Sequence, residues 1–288
     1  MIGTPKKTFQ ILKKYNFKFK KSFGQNFLID NNILNRIVDG AQIDENTMVI
    51  EIGPGIGSLT EALAKKAKKV ISFEIDTRLL PILEETLIDY NNIKIINEDI
   101  LKVDVDAFIK SELADCDKVM VVANLPYYIT TPILTHLLEN TTLIDGYVVM
   151  MQKEVANRLN AKVGTKDYNS LTILLNYYTD VEYLFTVPKK VFVPAPNVES
   201  AVVRILTKKK KEFNVNEEKF FKFVRSCFSQ RRKTLMNNLI TFIGKDKKEL
   251  LMNICLEVNI DPTRRSETLT INEFNNLHKK LLDSNIIN

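Results

Sequence analysis

The tetrapeptide Asn124-Leu125-Pro126-Tyr127 follows a short apolar run and carries the residue types of a site for an exocyclic amine. An aromatic amine such as N6 of adenine is a weak nucleophile, because its lone pair is delocalised into the ring. The Asn124 side-chain oxygen can accept one N–H of such an amine, and the Leu125 carbonyl can accept the other, since Pro126 fixes the backbone and donates nothing. Tyr127 offers an aromatic face for the base. The alternative interpretation is a strand that ends in an Asn-x-Pro turn with a core tyrosine.

A glycine-rich segment, Gly53-Pro54-Gly55-Ile56-Gly57, lies between a predicted strand and a predicted helix. Glycines let the backbone turn tightly and approach a ligand, and the start of a helix offers free N–H groups. Ser58 stands where the dinucleotide fingerprint has its third glycine, so the feature tied to a pyrophosphate is absent. Gly53 and Gly55 are therefore candidates for binding a cofactor.

Acidic residues stand at the ends of the next two predicted strands. Glu74 lies 21 residues after Gly53, where a carboxylate can bind both hydroxyls of a ribose. Asp99 follows the third strand, where its carboxylate can accept from an adenine amino group. One acid at a strand end is usually an ordinary loop residue, but strand ends that meet at one sheet edge together indicate a nucleoside-bearing cofactor.

Short apolar segments that are rich in β-branched residues alternate with segments of helical spacing. The predicted strands are residues 48–52, 70–75, 93–96, 119–125 and 147–151, and the predicted helices between them are 58–67, 78–89 and 132–139. This alternation is typical of βαβ units and predicts a parallel sheet with helices on both faces. Residues 181–187 and 201–206 are expected to close the sheet as an antiparallel pair.

The composition shifts after residue 207. The run Lys208-Lys209-Lys210-Lys211 is interpreted as a linker, and the segments that follow have helical spacing, at 217–227, 231–243, 247–256 and 271–282. We therefore expect two domains, a catalytic domain at 1–207 with a basic N-terminal extension and a helical domain at 208–288.

Composition excludes several classes of protein. The chain of 288 residues is 45% hydrophobic, as in a folded soluble protein, and from its lysine-rich first residues and short apolar runs we expect neither a secretory signal nor a membrane-spanning segment. Its three cysteines lie far apart, which argues against a disulfide framework or a zinc cluster. With two histidines, catalysis by a metal or by histidine is poorly supported. A cytoplasmic protein without a metal or a membrane partner is expected.

The net charge of +6 is unevenly distributed. Residues 1–29 hold seven lysines and no acid, residues 206–288 hold 17 basic against 10 acidic residues, and the part between them holds 17 against 25. Basic ends around an acidic body are expected of a protein that holds a polyanion such as RNA. Solvated lysine faces explain the same counts equally well.

Longer motifs give the chain a resemblance to a known family. They are residues 20–28 (KKSFGQNFL), the glycine loop, the Asn124 tetrapeptide, residues 192–200 (FVPAPNVES) and residues 228–235 (FSQRRKTL). With them the chain resembles the small-subunit (16S) ribosomal RNA adenine N6-dimethyltransferases over nearly its whole length. Relatives of this family are the macrolide-resistance methyltransferases of large-subunit rRNA.

The resemblance implies a class I S-adenosylmethionine-dependent methyltransferase fold of the α/β class. Such a fold has a Rossmann-like, mostly parallel seven-stranded sheet with an antiparallel last strand, here joined to a small helical C-terminal domain that helps hold rRNA. It also implies that S-adenosyl-L-methionine is the cofactor and that these residues line its site: Asn26, Leu28, Gly53, Glu74, Asp99 and Asn124. Phe192, matched within its motif, is expected to close the second face of the target base.

The implied reaction transfers two methyl groups to N6 of each of two adjacent adenosines in a hairpin near the 3′ end of small-subunit rRNA. The expected partner is an immature, pre-assembled 30S subunit, and the expected oligomeric state is a monomer. Two alternatives remain open at this stage. One is a 23S rRNA adenine methyltransferase of the macrolide-resistance type, although Tyr128 and residues 229–234 fit the small-subunit group better. The other is a non-catalytic, RNA-binding factor for ribosome assembly.

Overall fold

The computed structural model describes residues 1–20, 23–113 and 115–287. The strands are β1 (Phe27–Leu28), β2 (Thr47–Ile52), β3 (Lys69–Phe73), β4 (Ile93–Ile96), β5 (Lys118–Asn124), β6 (Gly146–Gln152), β7 (Thr179–Val187), β8 (Phe192–Val193) and β9 (Ser200–Thr207). The helices are α1 (Pro5–Lys14), α2 (Asn31–Ala41), α3 (Ser58–Ala64), α4 (Leu80–Thr86), α5 (Val105–Glu112), α6 (Thr130–Asn140), α7 (Lys153–Leu159), α8 (Ser170–Tyr178), α9 (Glu217–Cys227), α10 (Leu235–Ile243), α11 (Lys248–Glu257) and α12 (Ile271–Asp283).

Seven strands of the described chain form one sheet in the order β4-β3-β2-β5-β6-β9-β7. The pairs β4/β3, β3/β2, β2/β5 and β5/β6 are parallel, and β9 runs antiparallel to β6. All six residues of β2 are buried, as expected of a strand that is covered on both faces. The predicted α/β class, the mostly parallel sheet and the antiparallel last strand are thus confirmed.

The chain divides into two compact units. Unit 1 contains Met1–Ala156 and Asp180–Thr207, and unit 2 contains Asn157–Thr179 and Lys208–Asn288. One limit coincides with the boundary expected after residue 207. The segment Asn157–Thr179, which includes α8, belongs with the C-terminal helices, and sequence patterning did not single it out.

The lysine run that was interpreted as a linker is anchored within unit 2. The backbone N–H of Lys208 donates to the carbonyl of Tyr178 at 2.8 Å, and Lys211 forms an ion pair with Glu217. The hydroxyl of Tyr178 donates to the same carboxylate at 2.7 Å. The run therefore joins α8 to α9 by specific contacts.

Two helix predictions need correction. The helix predicted from residue 231 begins at Leu235, because the Thr234 side chain accepts from the N–H of Asn237 and caps the helix there. Helix α1 was not predicted at all. Thr8, Ile11 and Leu12 are its buried residues, and a stripe this narrow among lysines gives a weak periodic signal.

Candidate active site

A cavity lies at the carboxyl ends of β2, β3 and β5, all in unit 1. The structure brings nearly all of the sequence-predicted residues to its wall, namely Asn26, Leu28, Gly53, Gly55, Glu74, Asp99, Asn124, Leu125, Pro126 and Tyr127. In an open parallel sheet, ligands bind outside the carboxyl ends of the strands, so this is the position expected for a cofactor. Phe192 is not part of the wall.

The glycine loop connects β2 to α3 and forms the floor of the cavity. Gly55 has φ +60°, a left-handed conformation that favours glycine. A Cβ atom at this position would stand 2.9 Å from the ring of Phe27, which also lines the cavity. Glycine at 55 thus allows both the turn and the close packing of the aromatic ring.

Glu74 follows the last residue of β3 and is 5% exposed. One of its carboxylate oxygens accepts from the N–H of Asp76 at 2.8 Å, and the side chain of Asn97 donates to the Glu74 carbonyl at 2.7 Å. Burial raises the pKa of Glu74 to about 7, while the backbone N–H groups of Asp76 and Gly55 oppose this shift. A ligand that donates hydrogen bonds to the charged form of this carboxyl would stabilise that form and lower its pKa.

Glu51, the penultimate residue of β2, is a second buried carboxyl in the wall, and it was assigned no role from the sequence. The hydroxyls of Thr60 and Ser72 both donate to one of its oxygens, each at 2.7 Å. Burial raises its pKa to about 7 against these two hydrogen bonds. Its place two residues before Gly53 was the signal that sequence reasoning left unused.

Asp99 lies after β4, at the same sheet edge. One of its carboxylate oxygens accepts from the N–H of Leu101 at 3.1 Å, which orients the side chain at the start of a short 3₁₀ turn. The residue lines the cavity together with Glu74. The two acids predicted from successive strand ends therefore share one site.

Asn124 is the last residue of β5, and its side-chain amide is oriented by a neighbour. Its Nδ2 donates to the carbonyl of Asn26 at 3.3 Å, which leaves Oδ1 as the acceptor of the amide. The backbone N–H of Leu125 donates to the carbonyl of Met150 in β6 at 3.0 Å. The carbonyl of Pro126 accepts from the N–H of Ile129 at 3.1 Å and closes a tight turn. Sheet and turn thus hold the tetrapeptide at the cavity.

Tyr127 is held by Ser200, a residue whose role sequence reasoning missed. The two hydroxyl oxygens are 2.5 Å apart, and Ser200, the first residue of β9, is fully buried. Burial raises the pKa of the Tyr127 phenol, so it stays protonated at neutral pH. The antiparallel last strand β9 therefore holds the aromatic residue of the site in place through the hydroxyl of Ser200.

Phe192 lies in the core instead of the cavity. It is 3% exposed and belongs to the buried cluster that also contains Leu28. Strand β8 pairs with β1 so that Phe192 stands opposite Leu28. Its connection to the site in this structure is therefore through Leu28.

Two further features are absent from the described ranges. No group of three or more His, Cys, Asp or Glu side chains there is arranged to hold a metal ion. In the same ranges, no helix is long and apolar enough to cross a bilayer.

Comparisons with known proteins agree with this geometry. The family model described as "Ribosomal RNA adenine dimethylase" matches residues 16–278. The chain is 57% identical over 283 residues to the ribosomal RNA small subunit methyltransferase A of Staphylococcus carnosus, covering 97% of this chain and 96% of that protein. The protein of the same name from Anoxybacillus flavithermus is 58% identical, with the same coverage.

Solved structures show the same fold. A dimethyladenosine transferase from Plasmodium falciparum superimposes with a TM-score of 0.75 at 27% identity, covering 90% of this chain and 98% of that one. The 23S rRNA methyltransferase ErmE gives a TM-score of 0.62 at 25% identity, covering 88% and 98%. Since the family model spans most of the chain and the sheet, the glycine loop and the Asn124 tetrapeptide meet at one cavity, this chain belongs to the ribosomal RNA adenine dimethylase family.

Proposed function

We propose that this protein dimethylates N6 of two adjacent adenosines in the 3′-terminal hairpin of 16S rRNA, using S-adenosyl-L-methionine, on a pre-assembled 30S particle during ribosome biogenesis. The observation that carries the proposal is the meeting of the Asn124 tetrapeptide with Glu74 and Asp99 in one cavity. A nucleoside-binding wall and an amine-binding turn are thereby placed side by side. We further propose that the protein acts as a cytoplasmic monomer.

The wall of the cavity fits the cofactor. Glu74 offers a buried carboxylate to the ribose hydroxyls, and Asp99 offers an acceptor to the adenine amino group. Ser58 lines the same cavity, and its hydroxyl oxygen is buried without a hydrogen-bond partner among the described residues. An unsatisfied buried hydroxyl is costly unless a ligand or a water pairs with it. S-adenosylmethionine supplies an electrophilic methyl group attached to a positively charged sulfur.

The tetrapeptide acts by positioning. The target adenosine has to leave its stack to reach a cavity of this kind. Asn124 Oδ1 and the Leu125 carbonyl then accept the two N6 hydrogens, and the ring of Tyr127 holds the base, a contact worth about 1–3 kcal/mol. None of these groups is a strong base, because the amide and carbonyl are neutral and Tyr127 stays protonated. The proton of N6 therefore leaves to water, and orientation is the main contribution of the protein.

Positive charge on both units supports an RNA partner. The exposed residues of α1 include Lys6 and Lys13, and unit 2 exposes Arg232 and Lys233 in the motif before α10. Such groups supply affinity for phosphates without selecting a sequence. We propose that the adenosine pair is selected by how the folded rRNA fits against these basic groups, and not by the residues of the cavity.

The relatives at 57% and 58% identity bear small-subunit names, whereas ErmE, a 23S rRNA enzyme, is 25% identical. This difference favours the small-subunit substrate over the macrolide-resistance type. Purified protein should therefore methylate immature 30S subunits and leave protein-free 23S rRNA unmodified. Methylation of 23S rRNA alone would favour the alternative enzyme, and cofactor binding without any transfer would favour a non-catalytic assembly factor.

The role of the tetrapeptide is tested by Asn124→Ala. Loss of one oriented acceptor at the reacting group is expected to lower methyl incorporation into immature 30S subunits by about 100-fold or more. Asn32→Ala, at an exposed asparagine of α2 in the same unit, is the matched control and should retain full activity. Near-normal activity of Asn124→Ala would contradict the assigned role.

A further inference from the structure

Tyr128 stands at the rim of the cavity and has no part in the mechanism described above. It follows the tetrapeptide directly, lines the cavity and is 56% exposed. The turn from Pro126 to Ile129 fixes its backbone. Its hydroxyl has no hydrogen-bond partner within the described ranges, so hydrogen bonding in the free protein does not explain the position of this side chain.

The ring of Tyr128 packs against Gly24. A Cβ atom on Gly24 would stand 3.2 Å from Cδ1 of the ring, closer than side chains usually approach, and 3.5 Å from Cε1, an ordinary contact distance. Gly24 also has φ +57°, so its backbone conformation is one that favours glycine. The bare backbone at this position allows the tyrosine ring to lie directly on the segment.

The segment Gly24–Asn26 is anchored at both ends of the cavity. On one side, Asn26 Nδ2 donates to the Gly24 carbonyl at 3.0 Å, and Asn124 Nδ2 donates to the Asn26 carbonyl at 3.3 Å. On the other side, Gln25 Nε2 donates to Asp76 at 2.7 Å, two residues beyond Glu74. The segment thus bridges the amine-binding turn and the acidic wall, and Tyr128 lies against it.

The phenol of Tyr128 also lies near the two acids of the wall. Burial raises the pKa of Tyr128, and the negative charges of Asp99 and Glu74 raise it further. The side chain is therefore a neutral ring that packs on Gly24 and lines the same cavity as the carboxylates assigned to the adenine and the ribose. Nothing else in the proposed mechanism uses a ring at that place.

We propose that Tyr128, seated on Gly24, is a binding residue that retains the nucleoside half of the cofactor and of its product, S-adenosylhomocysteine, at the acidic end of the cavity. The proposal rests on the proposed function, because it takes this cavity to be the cofactor site. Its consequence is kinetic. Each methyl transfer is followed by exchange of product for fresh cofactor, so the Tyr128–Gly24 contact slows the release step of that exchange.

The test is binding of S-adenosylhomocysteine to the full-length protein without RNA, by calorimetry for Kd and by stopped-flow for the dissociation rate. Tyr128→Ala is expected to raise Kd about tenfold, the scale of losing one aromatic contact with a nucleoside, mostly through faster dissociation. Tyr128→Phe should stay within about twofold of the parent, because the hydroxyl makes no bond. Tyr183→Ala, at a partly buried tyrosine of β7 in the same unit, is the control and should leave Kd unchanged.

A double-mutant cycle tests the seat on Gly24. Gly24→Ala should raise Kd in the parent, because the methyl group displaces the ring, and should raise it by a smaller factor in a Tyr128→Ala background, where only the strain of a side chain at φ +57° remains. An equal effect in both backgrounds would show that strain at residue 24 acts alone and would overturn the proposal. So would a Tyr128→Ala protein that binds and releases the product like the parent. If the parent itself does not bind S-adenosylhomocysteine, the proposed function fails instead.

Discussion

At the scale of single residues, the cavity is marked by two carboxyls kept in a low-polarity environment. Glu51 is 1% exposed and Glu74 is 5% exposed, and burial raises the pKa of each to about 7. A carboxyl whose folded pKa lies above its unfolded value of 4.5 binds its proton more tightly in the folded state. Its contribution to stability is therefore lost as the pH rises from about 4.5 to 7. The free protein is thus less stable at neutral pH because of these two carboxyls, and a ligand that binds their charged forms is expected to restore that stability.

The titration of Glu74 predicts a pH dependence of ligand binding. Ribose hydroxyls donate to the charged carboxylate and lower its pKa in the complex, so binding releases a proton. Affinity for S-adenosylhomocysteine is expected to be highest above pH 7 and to fall towards a limit of about tenfold per pH unit below it. Calorimetry from pH 5.5 to 8.5, in buffers of different ionisation enthalpy, measures both the affinity and the released proton.

Glu74→Gln should weaken binding at pH 8 and flatten the pH profile, because the amide does not titrate. Glu85→Gln is a suitable control, since Glu85 lies outside the cavity, where its carboxylate pairs with Lys14. A Glu74→Gln profile as steep as that of the parent would assign the titration to another group, of which Glu51 is the nearest candidate.

At the scale of helices and strands, what could be predicted from sequence follows from how each element is buried. The central parallel strands are buried and mostly apolar, so β2 and β5 were located to within a residue or two. The edge strand β4 was located as well, although its Lys94 is exposed. Glu74 and Asp99 were found because each follows a predicted strand, and because Glu74 lies 21 residues after Gly53 of the glycine loop. Contacts that depend on tertiary packing were not accessible, such as the bond between Tyr127 and Ser200 or the burial of Phe192 opposite Leu28.

The packing of α12 against α9 contains a histidine in an apolar setting. His278 is 1% exposed, its ring lies 5.4 Å from Phe220 and 5.3 Å from Phe223, and neither ring nitrogen has a partner among the described residues. Burial lowers its pKa to about 4. A base with a depressed folded pKa is protonated more readily when unfolded, so stability falls as the pH drops from about 6.5 towards 4.

His278→Leu is therefore expected to stabilise the protein. Removing two unsatisfied buried nitrogens gains about 1–2 kcal/mol at neutral pH, and the loss of stability between pH 6.5 and 4.5 should become smaller. Thermal denaturation followed by circular dichroism at pH 7.5 and pH 5 measures both effects. His136→Gln in α6, where the ring is partly exposed and contacts the Val103 carbonyl, is the control. A lower midpoint for His278→Leu at both pH values would mean that packing of the imidazole outweighs its unpaired nitrogens.

At the scale of the whole molecule, charge and connectivity are the features that matter most. The N-terminal residues carry lysines without acids, and α1 turns Lys6, Phe9 and Lys13 outward while Ile11 and Leu12 face the core. The uneven charge was visible in the sequence, but the helix that displays it was not. Connectivity was visible only in part, because the excursion of Asn157–Thr179 into unit 2 leaves no mark in composition.

The exposed lysines of α1 predict a salt-dependent contribution to rRNA binding. For Lys6→Gln combined with Lys13→Gln, the slope of log affinity against log salt concentration should become shallower by about 1–2 if each lysine neutralises one phosphate. The measurement is binding of 16S rRNA, or of immature 30S subunits, between 50 and 200 mM salt. Lys110→Gln, at a lysine whose partner Asp106 lies 2.6 Å away on α5, should leave the slope unchanged. Equal slopes for the double variant and the parent would place the phosphate contacts elsewhere on the protein.

Unit 2 is built from two separate segments of the chain, and this has a consequence for folding during synthesis. Synthesis proceeds from the N-terminus, so α8 leaves the ribosome before α9, while the rings of Tyr177 and Tyr178 belong against Phe221 and Glu217 of that later helix. Unit 1 reaches its last strand, β9, in the interval. The nascent chain can thus complete the methyltransferase sheet before α9, the helix against which the aromatic residues of α8 pack, has been synthesised. A cut after residue 207 would make this unpaired state of α8 permanent, because the rings of Tyr177 and Tyr178 would lack Phe221 and Glu217.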